Sequence, residues 1–323
     1  MVIITIMMYI QILFIIFLYI HLYECFIQSK PPVYCMKTEK CLKEHLDYDF
    51  QNTFINYQYM SSNKSSQTAL LLIHGFGANH DHWRCNIPVL SQEMDTYAID
   101  LFGFGNSSQF TEFPYNIDFW SSQVVYFIEN VIKRRCILVG NSLGGYIILN
   151  SVTKTSNIIG LILINPLLLS KNNPLIKFDS EWYYSQYFVK SYFYYLKNKN
   201  VMKFFLEKLY PVYPNKIDDF LLDSLYYSAC NKNASEIFYK ILLENVLKPS
   251  VFIEDILPNI SVPMLFINGL KDVWIHPNST LEKIKNNTHI QYEYVNAGHC
   301  PQDEIPEIIN ELVLNFTGKV MFL

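Results

Sequence analysis

One short stretch near the middle of the chain has the residue types of a nucleophile held on a tight turn. Residues 136–141 form an apolar run that ends in Gly-Asn, and Ser142, Leu143 and two further glycines follow. The pattern Gly-x-Ser-x-Gly favours a sharp turn from a strand into a helix, because residues without a Cβ atom can pass close to their neighbours. Such a turn would expose the Ser142 hydroxyl and point the Leu143 amide at a developing negative charge. A glycine-rich turn whose serine has no chemical role would show the same pattern.

An acyl-transfer serine needs a base and a group that orients the base, and both follow predicted strands late in the chain. His299 lies in the loop after the apolar segment 290–295, and Asp272 follows the apolar segment 262–269. The carboxyl ends of parallel strands meet at one edge of a sheet, where such folds bind their substrates. We therefore predict that His299 takes the proton of Ser142 and that Asp272 accepts the Nδ1 hydrogen of His299. A surface-loop histidine and a turn aspartate without catalytic roles are the alternative interpretations.

The loop after the first core strand offers a second donor for an oxyanion. Residues 69–73 are apolar, and His74-Gly75-Phe76-Gly77 follows them at once. We predict that the backbone amide of Phe76 binds the oxyanion together with the amide of Leu143. His74 is interpreted as a residue that holds this loop through hydrogen bonds.

Three acidic residues near these motifs receive structural interpretations. Asp100 begins a turn that contains Gly103 and Gly105, and its carboxylate is predicted to bind backbone amides rather than to act in the reaction. Asp303 and Glu304 come just before the last predicted helix, where negative charge suits the positive end of the helix dipole.

The elements that must position these groups alternate between strands and helices. Apolar segments predict strands at 69–73, 95–99, 136–141, 159–165, 262–269 and 290–295, and helical periodicity is found at 118–132, 143–153 and 306–316. Strands that are apolar throughout, separated by helices, predict an α/β fold with a mostly parallel sheet that is covered on both faces. The alternating segment 49–60 suggests one or two earlier strands.

The alternation of strands and helices stops in the middle of the chain and later resumes. Helical periodicity at 181–209, 218–227 and 234–246, with many Tyr and Phe residues, predicts a helical cap inserted into the core. The cap would supply an apolar pocket, although aromatic stripes on helices are more often packing than substrate contacts. The predicted domains begin with a signal peptide or signal anchor (1–27) and a connector with the first strands (28–67). The first part of the core (68–165), the cap (166–257) and the second part of the core (258–323) follow.

The first twenty residues predict entry into the secretory pathway. Residues 2–20 are almost wholly apolar and carry no charged side chain, and a run of about 19 apolar residues just spans a bilayer. A signal anchor, which would associate the protein with a membrane, and a cleaved signal peptide are both compatible with this run. A buried core helix is the remaining alternative.

Composition gives no indication of a nucleic-acid partner or of a metal site. A net charge of −4 gives no reason to expect nucleic acid. The seven cysteines have neither the spacing of metal ligands nor that of a dense disulfide framework. The predicted chemistry needs no metal and no organic cofactor.

Taken together, five motifs resemble the α/β-hydrolase family. They are His74-Gly75-Phe76-Gly77, Asp100-x-x-Gly103-x-Gly105-x-Ser107, Gly140-Asn141-Ser142-Leu143-Gly144-Gly145, Gly269-x-x-Asp272-x-Trp274 and Gly298-His299-Cys300-Pro301. The resemblance covers residues 68–316 and implies that Ser142 is the nucleophile, Asp272 the acid and His299 the base.

The segment 297–307 is close to cyanobacterial and plastid members of that family, the group that includes pheophytinase. One departure is Gln302, where these relatives commonly carry a histidine, and no loss of function follows from it. The plastid-like motifs leave open a plastid-derived organelle, reached through the secretory route, as the destination.

These observations predict a serine hydrolase that cleaves a small apolar ester, or less readily a thioester or amide. An acyltransferase on the same three side chains, in which an alcohol other than water accepts the acyl group, is the first alternative. A protein that keeps the fold but binds a ligand without catalysis is the second.

Overall fold

The computed structural model describes residues 44–45, 53–64, 66–171, 186–247, 249, 251–276 and 290–321. All of them belong to the unit Thr38–Leu323. The predicted signal peptide or anchor, residues 1–27, lies outside the described residues. In the part of the chain that is described, no helix is both long enough and apolar enough to cross a membrane.

The described chain is built on a seven-stranded sheet. A separate antiparallel pair, β1 (Glu44–His45) and β2 (Phe54–Ile55), precedes it. The strands of the sheet are β3 (Tyr57–Met60), β4 (Thr68–Ile73), β5 (Thr96–Ile99), β6 (Arg135–Asn141), β7 (Ile158–Ile164), β8 (Met264–Gly269) and β9 (Ile290–Val295). Their order is β3-β5-β4-β6-β7-β8-β9, and β3 alone runs antiparallel to its neighbour. The predicted α/β class with a mostly parallel sheet is confirmed.

The described chain has ten α-helices, of which the short α1, α8 and α9 were not predicted from the periodicity. In chain order they are α1 (Ile87–Leu90), α2 (Ile117–Phe127), α3 (Leu143–Ser151), α4 (Gln186–Leu196), α5 (Lys199–Leu209), α6 (Asp219–Ala229), α7 (Ala234–Leu242), α8 (Ile253–Ile256), α9 (Pro301–Glu304) and α10 (Pro306–Met321). Pro306 occupies the first position of α10, where its missing N–H costs no hydrogen bond.

Both faces of the sheet are buried, which is why its central strands are apolar at every position. Leu71 of β4 packs in a cluster with residues of α2 and α3. Its neighbours Leu70 and Leu72 point to the opposite face and pack with residues of α1 and α10. Alternate side chains of a strand point to opposite faces, so a helix layer on each side demands an apolar residue at each position.

Five α-helices of the described chain, α4–α8, lie between β7 and β8 in sequence, and we refer to the four longer ones, α4–α7, as the inserted helices. Helical periodicity was predicted over 181–209, and the described part of that segment, 186–209, is two helices that meet at Asn198. The Asn198 side chain accepts hydrogen bonds from the amides of Asn200 and Val201, so it caps the start of α5. An asparagine in this role ends the preceding helix, because its own backbone is extended.

Candidate active site

Ser142 lies on a strained turn between β6 and α3. Its backbone has φ 53° and ψ −114°, a conformation that a residue with a Cβ rarely adopts. The Ser142 amide donates a hydrogen bond of 3.0 Å to the carbonyl of Ile164 at the end of β7. Strain of this kind persists only where the surrounding structure determines the backbone, and it is typical of functional sites.

Two glycines allow the strand, the turn and the helix to come this close together. A Cβ atom on Gly140 would lie 2.5 Å from the backbone of Gly144. A Cβ atom on Gly144 would lie 2.4 Å from the carbonyl oxygen of Ile73 at the end of β4. Both clashes are with backbone atoms, so a side-chain rotation cannot relieve them.

We expect Gly144→Ala to lower the free energy of unfolding by about 2 kcal/mol or more, because the new methyl group overpacks the contact between α3 and β4. Urea denaturation followed by circular dichroism measures the effect. Gly318→Ala is the matched control: Gly318 lies in α10, and a Cβ atom there would meet nothing within 4 Å. We expect this control to be slightly stabilised, by about 0.5 kcal/mol. Equal free energies of unfolding for the two variants would contradict the close approach of α3 to β4.

His299 and Asp272 are brought together at the carboxyl ends of the neighbouring strands β9 and β8. The distance from His299 Nδ1 to Asp272 Oδ2 is 2.7 Å, and both side chains are buried. The other carboxylate oxygen, Oδ1, accepts hydrogen bonds from the amides of Trp274 and Ile275. The carboxylate is therefore fixed by its own loop and can hold the imidazole with its hydrogen on Nδ1.

Ser142 and His299 line one cavity of about 320 Å³. Its other walls are largely aromatic and aliphatic, and several come from the inserted helices. Trp274 also lines the cavity, with its ring centroid 5.2 Å from that of His299. The sequence-predicted serine and histidine thus line a single, largely apolar cavity, and the predicted aspartate is hydrogen-bonded to the histidine.

Phe76 and Leu143, the predicted oxyanion donors, flank Ser142. A Cβ atom on Gly75 would lie 3.2 Å from the Cβ of Ser142, so the loop after β4 passes directly beside the serine. Leu143 is the first residue of α3, and its amide belongs to the first turn, whose N–H groups have no intrahelical acceptor. Within the described residues, neither amide donates a hydrogen bond to another group. Both are available to an oxygen bound beside Ser142.

His74 and Asp100 have structural partners. His74 is fully buried, donates from Nδ1 to the carbonyl of Gly75 and accepts at Nε2 from the amide of Leu101. Burial lowers the pKa of His74 to about 4, so the ring is neutral. Asp100 accepts hydrogen bonds from the amides of His80 and Asn106.

Asp100 also forms a buried ion pair with the imidazole of His80, at 2.8 Å. Burial opposes the charge of each partner, but their attraction outweighs it. The pKa of His80 is raised to about 9 and the pKa of Asp100 is lowered to about 2. This pair fixes the turn that lies beside the loop of Phe76.

Two asparagines that the sequence reasoning missed hold the loop of His299. The side-chain amides of Asn141 and Asn165 each donate a hydrogen bond of 3.1 Å to the carbonyl oxygen of His299. Asn141 directly precedes Ser142, so it links the turn of the serine to the loop of the histidine. Each of the two asparagines comes at the end of an apolar strand segment. That polar residue is the sequence signal that could have identified them.

The interpretation of Asp303 and Glu304 as acids near a helix dipole does not describe their contacts. Both belong to the short helix α9 and are fully buried. One oxygen of Glu304 accepts a hydrogen bond of 2.6 Å from the amide of Gly298, and the other accepts from the amides of Val212 and Tyr213. Glu304 therefore joins the loop of His299 to the segment after α5.

Asp303 accepts from the Arg84 guanidinium through both oxygens, at 2.9 and 3.2 Å, and from the hydroxyl of Tyr210 at 3.0 Å. The same hydroxyl lies 2.7 Å from Nε2 of His82, which lines the cavity. Such a buried charge needs partners of this kind, because an unpaired carboxylate in the interior is costly. Sequence periodicity gives no sign of these pairings, since the partners are far apart along the chain.

Comparisons with known proteins identify the family of the chain. Residues 68–306 match the family described as alpha/beta hydrolase fold. The chain is 24% identical over 268 residues to the uncharacterized hydrolase YugF of Bacillus subtilis, a match that covers 81% of this chain and 94% of YugF. It is 23% identical over 309 residues to the chloroplastic pheophytinase of Arabidopsis thaliana, which covers 80% of this chain and 63% of that protein.

Among solved structures, a crystal structure of a membrane phospholipase A superposes with a TM-score of 0.70 at 25% identity. The superposition covers 87% of this chain and 86% of the phospholipase. The similarity to the pheophytinase-like group, expected from the segment 297–307, is confirmed over 80% of the chain.

Proposed function

The chain belongs to the α/β-hydrolase family, and from this premise we propose that it is a serine hydrolase with Ser142 as nucleophile, His299 as base and Asp272 as the orienting acid. The family and the hydrolases among its relatives support hydrolysis as the class of reaction. Two linked observations carry the proposal. His299 forms a buried hydrogen bond with Asp272, and His299 and Ser142 line the same cavity.

In the proposed first half-reaction, Ser142 Oγ attacks the acyl carbonyl carbon while His299 Nε2 takes its proton. Asp272 keeps the other ring hydrogen on Nδ1 and stabilises the imidazolium that forms. The amides of Phe76 and Leu143 bind the oxyanion of the tetrahedral intermediate. The intermediate then collapses, the imidazolium protonates the leaving alcohol, and the acyl group remains on Ser142.

In the second half-reaction, water attacks the acyl-enzyme with His299 again as base, and the acid is released from Ser142. An alcohol in place of water would make the same machinery an acyltransferase. Both reactions share the acyl-enzyme, so products formed in the presence of a competing alcohol distinguish them. The apolar cavity walls support an ester with an apolar acyl or alcohol part as the substrate.

A fluorophosphonate probe tests the nucleophile directly, because it forms a covalent bond with an activated serine. We expect labelling of the full chain and at least a 10³-fold slower labelling, or none, for Ser142→Ala, which lacks the attacking oxygen. Ser122→Ala is the control: this serine is half-buried on α2, where its hydroxyl donates to a backbone carbonyl, and we expect normal labelling. Labelling that persists in Ser142→Ala excludes the proposed mechanism, and an unlabelled wild-type chain favours a binder without catalysis.

A further inference from the structure

Lys197 is the one lysine, and no arginine, aspartate or glutamate accompanies it, among the described residues that line the cavity of Ser142. It directly follows α4 and is half-buried. The cavity lining, as far as the chain is described, includes no aspartate or glutamate. Phe193, Leu196 and Phe238 surround the same space with apolar surface. Among the residues that the structure describes, the cavity wall therefore carries one lysine and no acid.

Three other lysines of the inserted helices are engaged with partners from this chain. Lys190 pairs with Glu236, and Lys199 pairs with Asp223. Lys240 donates to the carbonyl of Thr111. For Lys197, by contrast, the described chain provides neither an acidic partner nor an acceptor for the side chain. A cation that faces apolar surface without a counter-ion gains most from an anion brought by a ligand.

We propose that the substrate of this site is an amphiphilic ester whose anionic group, a carboxylate or a phosphate, binds the Lys197 ammonium. The inference rests on the proposed serine hydrolase and adds the charge of its substrate. Ser142 lies at the carboxyl end of the central strand β6, whereas Lys197 lies at the end of the inserted helix α4. An apolar chain along the aromatic walls would connect the scissile carbonyl at Ser142 to the charged group at Lys197.

A lysine suits this role because its ammonium is a compact charge that binds carboxylate and phosphate oxygens without a fixed geometry. Hydrogen bonds to charged groups are stronger than neutral ones, and in a half-buried setting one such contact changes affinity by about tenfold. An anionic ligand should therefore bind about ten times more tightly than a neutral ligand with the same chain.

Calorimetric binding to the full chain with the Ser142→Ala substitution tests this inference without relying on catalysis. The ligands are octyl phosphate, octanoate and 1-octanol, which share one chain length and differ in the head group. We expect octyl phosphate, octanoate or both to bind about tenfold more tightly than 1-octanol. The anion that shows the preference identifies the head group.

The same measurement is repeated after the additional substitution Lys197→Met, which keeps an unbranched apolar side chain and removes the charge. We expect the preference for anions to disappear. Lys203→Met is the matched control, because Lys203 is an exposed lysine of α5 outside the cavity lining, and we expect the preference to persist.

Three results would overturn the inference: equal affinities for charged and neutral ligands, no binding of any of the three, or a preference that survives in Lys197→Met. The third result would place the anion elsewhere, for example against the amides of Phe76 and Leu143. Fluorophosphonate labelling of Ser142 does not depend on the charge at Lys197. A failure of the substrate inference can therefore be told apart from a failure of the proposed mechanism.

Discussion

Asp272→Asn is expected to lower kcat for ester hydrolysis by about 10⁴-fold while the protein remains folded. An asparagine at this position can still accept hydrogen bonds from the amides of Trp274 and Ile275 through Oδ1, which the carboxylate accepts now. Its NH₂ group, however, would face His299 Nδ1 in place of Oδ2. The imidazole would then carry its hydrogen on Nε2 and could not accept the proton of Ser142.

The measurement is steady-state hydrolysis of p-nitrophenyl esters of varied chain length, together with thermal unfolding to verify the fold. Asp118→Asn serves as the control: Asp118 is half-exposed on α2 and forms an ion pair with Lys154 at 3.1 Å. We expect its kcat to stay within about twofold of the wild-type value, because surface ion pairs contribute little. A decrease of less than tenfold in Asp272→Asn would show that the aspartate does not set the tautomer of His299.

Asp303→Ala is expected to lower the free energy of unfolding by about 3 kcal/mol or more. The carboxylate is fully buried and binds both the Arg84 guanidinium and the Tyr210 hydroxyl. Removing it leaves a largely buried cation with one remaining acidic partner, Asp218, and leaves the tyrosine hydroxyl without its acceptor. Urea denaturation of the full chain measures the loss.

Asp255→Ala is the matched surface control for this prediction. Asp255 pairs with Lys171 at 2.5 Å, but both side chains are about half exposed, so we expect a change below about 1 kcal/mol. In a double-mutant cycle, Arg84→Met combined with Asp303→Ala should destabilise the chain less than the sum of the two single substitutions. Additive effects would mean that the two side chains do not interact in the folded protein.

The sequence by itself determined the features that depend on neighbouring residues. Apolar runs bounded by turns located the strands β4 to β9, because a strand buried on both faces needs an apolar residue at each position. The turn at Ser142 was readable because only glycines tolerate the close contacts at Gly140 and Gly144. The α/β class follows from the alternation of strands and helices, and the match of residues 68–306 to the family confirms it. The roles of Ser142, His299 and Asp272 remain a proposal for the experiments above.

The tertiary structure decided which distant groups support the turn at Ser142 and which residues line the cavity beside it. Asn141 and Asn165 bind the carbonyl of His299 across more than a hundred residues of chain, and Glu304 joins the amide of Gly298 to the segment after α5. Local preferences cannot encode such pairs, since the partners become neighbours only when separate strands enter one sheet. The position of Lys197 beside an apolar cavity has the same origin. Its residue type was visible in the sequence, but its surroundings were fixed by the packing of the inserted helices, which line the same cavity as Ser142.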